Sequence, residues 1–230
     1  MAKKKTDGNF EIVEDALSKT EQYIEDNQKS LSIIVAAIVI IVGGYLAYNK
    51  LYIKPLQEEA LANVFFAEQY FEKDSFNLAL NGDGNNLGFL DIIDEFGVTK
   101  VGNLANYYAG ISYLRLGDYE SAIEHLQTFD SDDYILEPVS LGAIGDANME
   151  LENTDEALDY YLKASKFENE FTTPLYLMKA GLVYEKLGDY EKALQLYERI
   201  DIEYEKSNEG RYIKKYIQRE IGRASCRERV

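Results

Sequence analysis

The sequence predicts an all-α protein: a single transmembrane helix followed by an α-solenoid of helix–turn–helix repeats. Three observations carry this. Residues 31–48 read LSIIVAAIVIIVGGYLAY, eighteen residues without a charge. Behind them LRLGDYESAIEHL (114–126), ELENTDEALDYYL (150–162) and EKLGDYEKALQLY (185–197) repeat one pattern. The three prolines, Pro55, Pro138 and Pro174, stand where a helix would begin, and a first helical turn tolerates proline because its N–H has no intrahelical partner there.

The apolar run fits a bilayer. At about 1.5 Å per residue a helix of this length covers about 27 Å, near a hydrocarbon core of about 30 Å. Lys29 flanks one end, Lys50 and Lys54 the other, and Tyr45, Tyr48 and Tyr52 sit where an interfacial aromatic belt belongs. A cleaved signal peptide has a short basic start, a shorter apolar core and a small-residue cleavage site. Here a long tail precedes the run, and GGYLAYNK offers no such site. An uncleaved anchor is expected. Five lysines precede the span, and only Lys50 and Lys54 lie in the stretch just after it. The positive-inside rule then puts the N-terminus in the cytoplasm and the large domain outside. Counted over equal windows on each side, the lysines tie at two, so the orientation rests on the whole tail. Residues 1–30 read as a cytoplasmic tail with a short amphipathic helix through Phe10, Val13, Leu17, Tyr23 and Ile24, or as a solvated juxtamembrane helix. Gly43, Gly44 and Ala47 leave room for a close helix contact in lipid.

Charge narrows the partners. Of the net −17, residues 49–221 carry all of it, residues 1–30 add −2 and residues 222–230 return +2. An acidic domain repels nucleic acid and anionic lipid, so neither is an expected partner. One cysteine (Cys226) and one histidine (His125) leave no disulfide framework and no zinc cluster. No nucleophile elbow, phosphate-binding loop, HExxH or dinucleotide fingerprint is present. No enzymatic activity, cofactor or metal is expected, and His125, beside Glu124 in a predicted helix, reads as solvated.

In chain order, Pro55 separates the span from a helix over Leu56–Lys73. Its Leu61, Val64, Phe65, Ala67, Tyr70 and Phe71 keep helical spacing. The loop NGDGNNLG (81–88) places Asn81, Asp83 and Asn85 at alternate positions, as a calcium loop would. The sixth and twelfth places hold Asn86 and Ile92 instead of Gly and Glu, so a Gly/Asn turn is expected. FLDIIDEF (89–96) follows as a short helix. Residues 56–100 read as a degenerate first repeat, with Ala67, Tyr70 and Ala79 in phase.

Over 103–205 the periodicity is explicit. Ala122, Ala157 and Ala193 are spaced 35 and 36 apart. Gly110, Gly145 and Gly181 each lie twelve residues before their alanine, where a small residue lets the first helix of a pair approach the second. Tyr113 and Tyr184 take a large aromatic position that repeat two gives to Asn148. Gly117 and Gly188 make the turn within the pair, where repeat two has Glu152. Leu126, Tyr161 and Tyr197 fill a large place in the second helix. A helix–turn–helix period near 34 resembles the tetratricopeptide repeat, here in three copies. The proline expected at the end of each repeat is absent, and connections of one or two residues are predicted. SNEGRYIKKYIQREI supplies a C-terminal capping helix within 206–221. Residues 222–230, GRASCRERV, bring three arginines and Cys226 into an acidic chain. They read as an adaptor read-through, not native sequence, and Cys226 is given no role.

The first helix of each repeat carries two apolar stripes, although packing needs one. Ala109, Gly110 and Tyr113, with their counterparts Ile144, Gly145, Ala180, Gly181 and Tyr184, face the second helix. Offset from them run Tyr107, Ile111, Leu114, Met149, Leu175, Met178 and Leu182. In tetratricopeptide proteins the matching positions line a concave groove, and apolar surface contiguous across repeats marks a partner site. The alternative is that this stripe packs under neighbouring helices. Arg115 and Lys186 recur at one phase and would clamp a carboxylate, although Glu150 stands between them. The arrangement of tail, anchor and acidic repeat domain resembles the YfgM-like family, ancillary subunits of the SecYEG translocon. That resemblance implies a chaperone-like periplasmic scaffold on the inner membrane, meeting translocon subunits, secreted chains or periplasmic chaperones. Two other readings stand beside it: a structural organiser of envelope or division machinery, and an assembly adaptor facing the cytoplasm.

Overall fold

The structure is a computed structural model that describes residues 26–227. The chain divides at Pro55 into two compact units. The expected amphipathic helix of the tail lies outside the described residues. In the first unit, helix α1 (Gln28–Tyr48) buries none of its residues, and Ile33, Val39, Ile40 and Ile41 stand exposed. This helix is long and apolar enough to cross a membrane. Asn49–Ile53 forms a π-helical turn in which the Lys54 N–H donates to the Asn49 carbonyl, and helix α2 (Lys54–Glu72) takes Pro55 into its first turn. A proline ring clashes with the carbonyl four residues back; a wide turn there gives the ring space.

In the second unit, α2 is followed by the short helices α3 (Phe76–Asn81) and α4 (Phe89–Phe96). Then come three helical hairpins: α5 (Lys100–Leu116) with α6 (Tyr119–Thr128), α7 (Leu136–Glu150) with α8 (Thr154–Ala164), and α9 (Thr173–Leu187) with α10 (Tyr190–Glu203). Helix α11 (Lys214–Arg227) closes the described chain, and no strand occurs among the described residues. Asp83 ties the loop between α3 and α4. Its carboxylate accepts the Tyr70 hydroxyl at 2.7 Å and the N–H groups of Asn85 and Asn86 at 2.8 Å. Those donors, Tyr70 foremost, hold the carboxyl well below the usual carboxylate range. Around α2, Phe71, Phe89 and Tyr108 pack as a ring cluster at centroid distances of 5.0–6.2 Å.

Each hairpin closes on a glycine. A Cβ on Gly110 would lie 2.5 Å from Leu126 Cγ, one on Gly145 2.6 Å from Tyr161 Cε1, and one on Gly181 2.3 Å from Tyr197 Cε1. The large residue of the second helix therefore occupies the space left by the missing side chain. Two of these residues also carry a polar bond: the Tyr161 hydroxyl donates to Asp146 at 2.7 Å and the Tyr197 hydroxyl to Glu185 at 2.5 Å. The same device joins repeats, since a Cβ on Gly142 would lie 1.9 Å from Tyr176 Cε1.

The turns differ. Gly117 and Gly188 sit at φ 84° and 79° and end α5 and α9 in the left-handed region. Asp118 and Asp189 then cap α6 and α10 by accepting the N–H of Ser121 and Lys192. Repeat two keeps the left-handed turn without its glycine, since Glu152 takes φ 62°, and Asn153 makes no side-chain cap bond.

The connections between repeats are longer than expected. Residues 129–135 are non-helical, and a short 3₁₀ turn (Ser165–Phe167) with residues 168–172 joins α8 to α9. Side chains replace the missing prolines. Asp133 accepts the N–H of Ile135 and Leu136, both at 2.8 Å. Buried Asn169 accepts the N–H of Phe171 and Thr172 and donates to the Tyr134 carbonyl. The capping helix starts later than predicted, at Lys214, because residues 204–213 turn back and bury Ile213 beside Leu177, Tyr197 and Ile200. It runs on through 222–227, and Arg223 pairs with Glu185 at 2.9 Å.

His125 is not solvated. It is half-buried, stacked 5.4 Å from the Tyr113 ring, with Nδ1 3.0 Å from Asn106 Oδ1. An amide oxygen only accepts, so Nδ1 carries the proton. Burial lowers the pKa of the imidazole, against a smaller raising effect of Glu124. With a depressed folded value, its stability contribution is present above the unfolded pKa and is lost as pH falls through the folded one. NMR titration should find His125 below the ordinary histidine value; a value at or above it contradicts this packing. Gly181→Ala should cost about 1–3 kcal/mol by overpacking against Tyr197, read by denaturant unfolding. Glu152→Gly should instead add about 0.5–1 kcal/mol by relieving a left-handed non-glycine residue.

Candidate protein-binding groove

The first helices of the three hairpins lie side by side, and a cavity of about 620 Å³ opens between α5, α7 and α9. Five of the nine expected groove residues line it: Ile111, Leu114, Arg115, Met149 and Leu182. They come from all three repeats, so one groove crosses them. The other four do not line it. Met178 is buried and packs with Leu177, Tyr197 and Ile213 towards α10 and α11. Tyr107 lies half-buried against Phe129 and Tyr108. Leu175 borders a separate cleft near the end of α10, and Lys186 is exposed beyond the end of the groove. The two-residue clamp of Arg115 with Lys186 is therefore not assembled in this cavity.

The polar centre of the groove comes from residues that an apolar stripe passes over. Asp146 stands on α7 at the phase of Ile111 and Leu182, eleven residues before its alanine. Lys179 Nζ meets its two carboxylate oxygens at 2.5 and 2.7 Å, and the Tyr161 hydroxyl donates to it at 2.7 Å. The ammonium also lies 5.5 and 5.8 Å from the centroids of the Tyr161 and Tyr176 rings. Burial first, then Asp146, raises the pKa of both phenols, so both stay protonated and Tyr161 remains a donor. Lys179 is thus held by an anion and two ring faces, and its charge is spent within the protein. Arg115 has no ion-pair partner among the described residues. Glu150 accepts weakly from Tyr119 at 3.5 Å.

Ile111, Leu114, Met149 and Leu182 form apolar walls, the Asp146–Lys179 pair a polar floor, and Arg115 a free cation at one side. Among the described residues no cluster of three or more His, Cys, Asp or Glu is placed to hold a metal ion.

Comparison with known proteins agrees with this geometry. The family model described as tetratricopeptide repeat matches residues 107–170 and 143–208. A crystal structure of MamA is similar in fold, with a TM-score of 0.50 and 19% sequence identity, covering 71% of this chain and 97% of that one. At that identity the likeness concerns the fold alone. No curated protein matches the sequence. The family match thus spans residues 107–208, and the described residues are helical without strands; tetratricopeptide domains as a class mediate protein–protein interaction and scaffolding.

Proposed function

We propose that the chain is a single-pass membrane scaffold whose groove holds segments of other proteins. The observation that carries this is the cavity across α5, α7 and α9, with walls from three repeats and an unpaired arginine at its side. Extended segments suit it because each repeat offers the same wall in a new position. The apolar helix α1 anchors the repeats at the inner membrane, and the lysine count of the tail supports a periplasm-facing domain. In that compartment translocon subunits, secreted chains and periplasmic chaperones are the expected partners. The tie in the short lysine windows favours one second reading, an adaptor that keeps its repeats in the cytoplasm.

Two measurements separate these readings. A photoreactive residue at Leu182, activated in intact membranes, should capture translocon subunits or secreted chains; capture of neither sinks the translocon-side reading. Protease added to spheroplasts should digest the repeat domain, whereas a domain that survives intact reverses the orientation.

A further inference from the structure

We propose that a second docking site lies at the rim formed by the connections between repeats. It takes a protein segment that sets lysine or arginine beside a large apolar side chain. The surface is built from the start of α9 and the chain that follows α10. Phe171 is 79% exposed and Ile202 81% exposed, more than any other large apolar side chain among the described residues of the second unit. With Leu175 and Tyr204 they border a cleft of about 590 Å³ that shares no residue with the groove.

Phe171 is not thrown outward by a loose loop. The Asn169 side chain accepts its backbone N–H at 3.0 Å and that of Thr172 at 2.6 Å, and Thr173 Oγ1 accepts the Asn169 N–H at 3.0 Å. An ordered turn therefore presents a phenyl ring to solvent, at a cost in apolar exposure that a partner would relieve. The surface continues to the preceding connection, where exposed Tyr134 donates to the Glu168 carbonyl at 3.0 Å.

Charge selects the occupant. Glu170, Glu203, Glu205 and Glu209 border the cleft against the single cation Lys206. Arg199 engages Glu203 at 2.7 Å, and the other three carboxylates have no ion-pair partner among the described residues. A second copy of this acidic unit and an anionic bilayer both meet repulsion here. The chain's own Lys3-Lys4-Lys5 precedes the span, and in the proposed topology it stays across the membrane. A basic, apolar segment of another protein gains from both features of the cleft.

The full chain in uncharged detergent micelles tests this by fluorescence anisotropy with a labelled short leucine–lysine peptide. Binding should weaken about tenfold in Phe171→Ser/Ile202→Ser and be retained in Phe171→Leu/Ile202→Leu, which keeps the apolar bulk. Glu170→Gln/Glu205→Gln should weaken binding and flatten its salt dependence. Met149→Ser/Leu182→Ser, in the groove, should leave it unchanged. Serine–lysine and leucine–glutamate peptides should bind at least about tenfold more weakly. The proposal is overturned by an unchanged affinity in the Phe171/Ile202 serine variant, by equal loss in the groove variant, or by a serine–lysine peptide that binds as tightly.

Discussion

The second unit depends on a steric lock: a glycine on the first helix of each hairpin against a large side chain on the second. Gly110 receives Leu126, Gly145 receives Tyr161 and Gly181 receives Tyr197. A methyl group at any of the three would stand at 2.3–2.6 Å from its partner, far inside contact distance. Interiors at crystal-like density do not absorb such overlap by local give. The lock fixes the distance between paired helices, and that distance sets the spacing of α5, α7 and α9. The groove is the outer consequence of an inner fit. Tyr161 belongs to both, since its ring fills the space over Gly145 and its hydroxyl reaches Asp146 on the groove floor.

Electrostatics divide the unit into places with different chemistry. Most of its surface is acidic, yet the groove centre is internally compensated by Lys179 on Asp146. That pair is partly exposed, so its contribution to stability is modest and screened. Its effect is positional: it sits beside two tyrosine rings and leaves Arg115 as the uncompensated charge of the groove. In the proposed binding role, selectivity in the groove rests on shape and apolar contact.

The periodic positions were legible in the sequence because each is set by local sterics: glycine where helices touch, glycine where a turn needs positive φ, alanine at the buried face. The groove was legible only in part. A search for apolar stripes finds Ile111, Leu114, Met149 and Leu182, and it passes over Asp146, which shares their phase but is polar. It also admits Met178, whose phase in repeat two is Gly142. There Tyr176 fills the gap, whereas α10 and α11 close over Met178. Helical phase states which side of a helix a residue occupies; the neighbour on that side is decided by the fold. The longer connections were missed for a related reason. Asn169 and Asp133 replace proline with hydrogen bonds to residues close in sequence, a substitution that no proline count registers.

The left-handed Glu152 has a consequence for cooperativity. Repeat arrays fold as chains of units coupled to their nearest neighbours, and a weak unit is carried by the interfaces on each side. Here the weak unit, with neither the glycine turn nor the aspartate cap, is the middle one. It also supplies Asp146, Met149 and Glu150 to the groove. Partial unfolding that starts there removes the proposed recognition surface and uncouples repeats one and three in a single event. A ligand spanning the groove bridges that same point, so occupancy and the integrity of the array become one equilibrium.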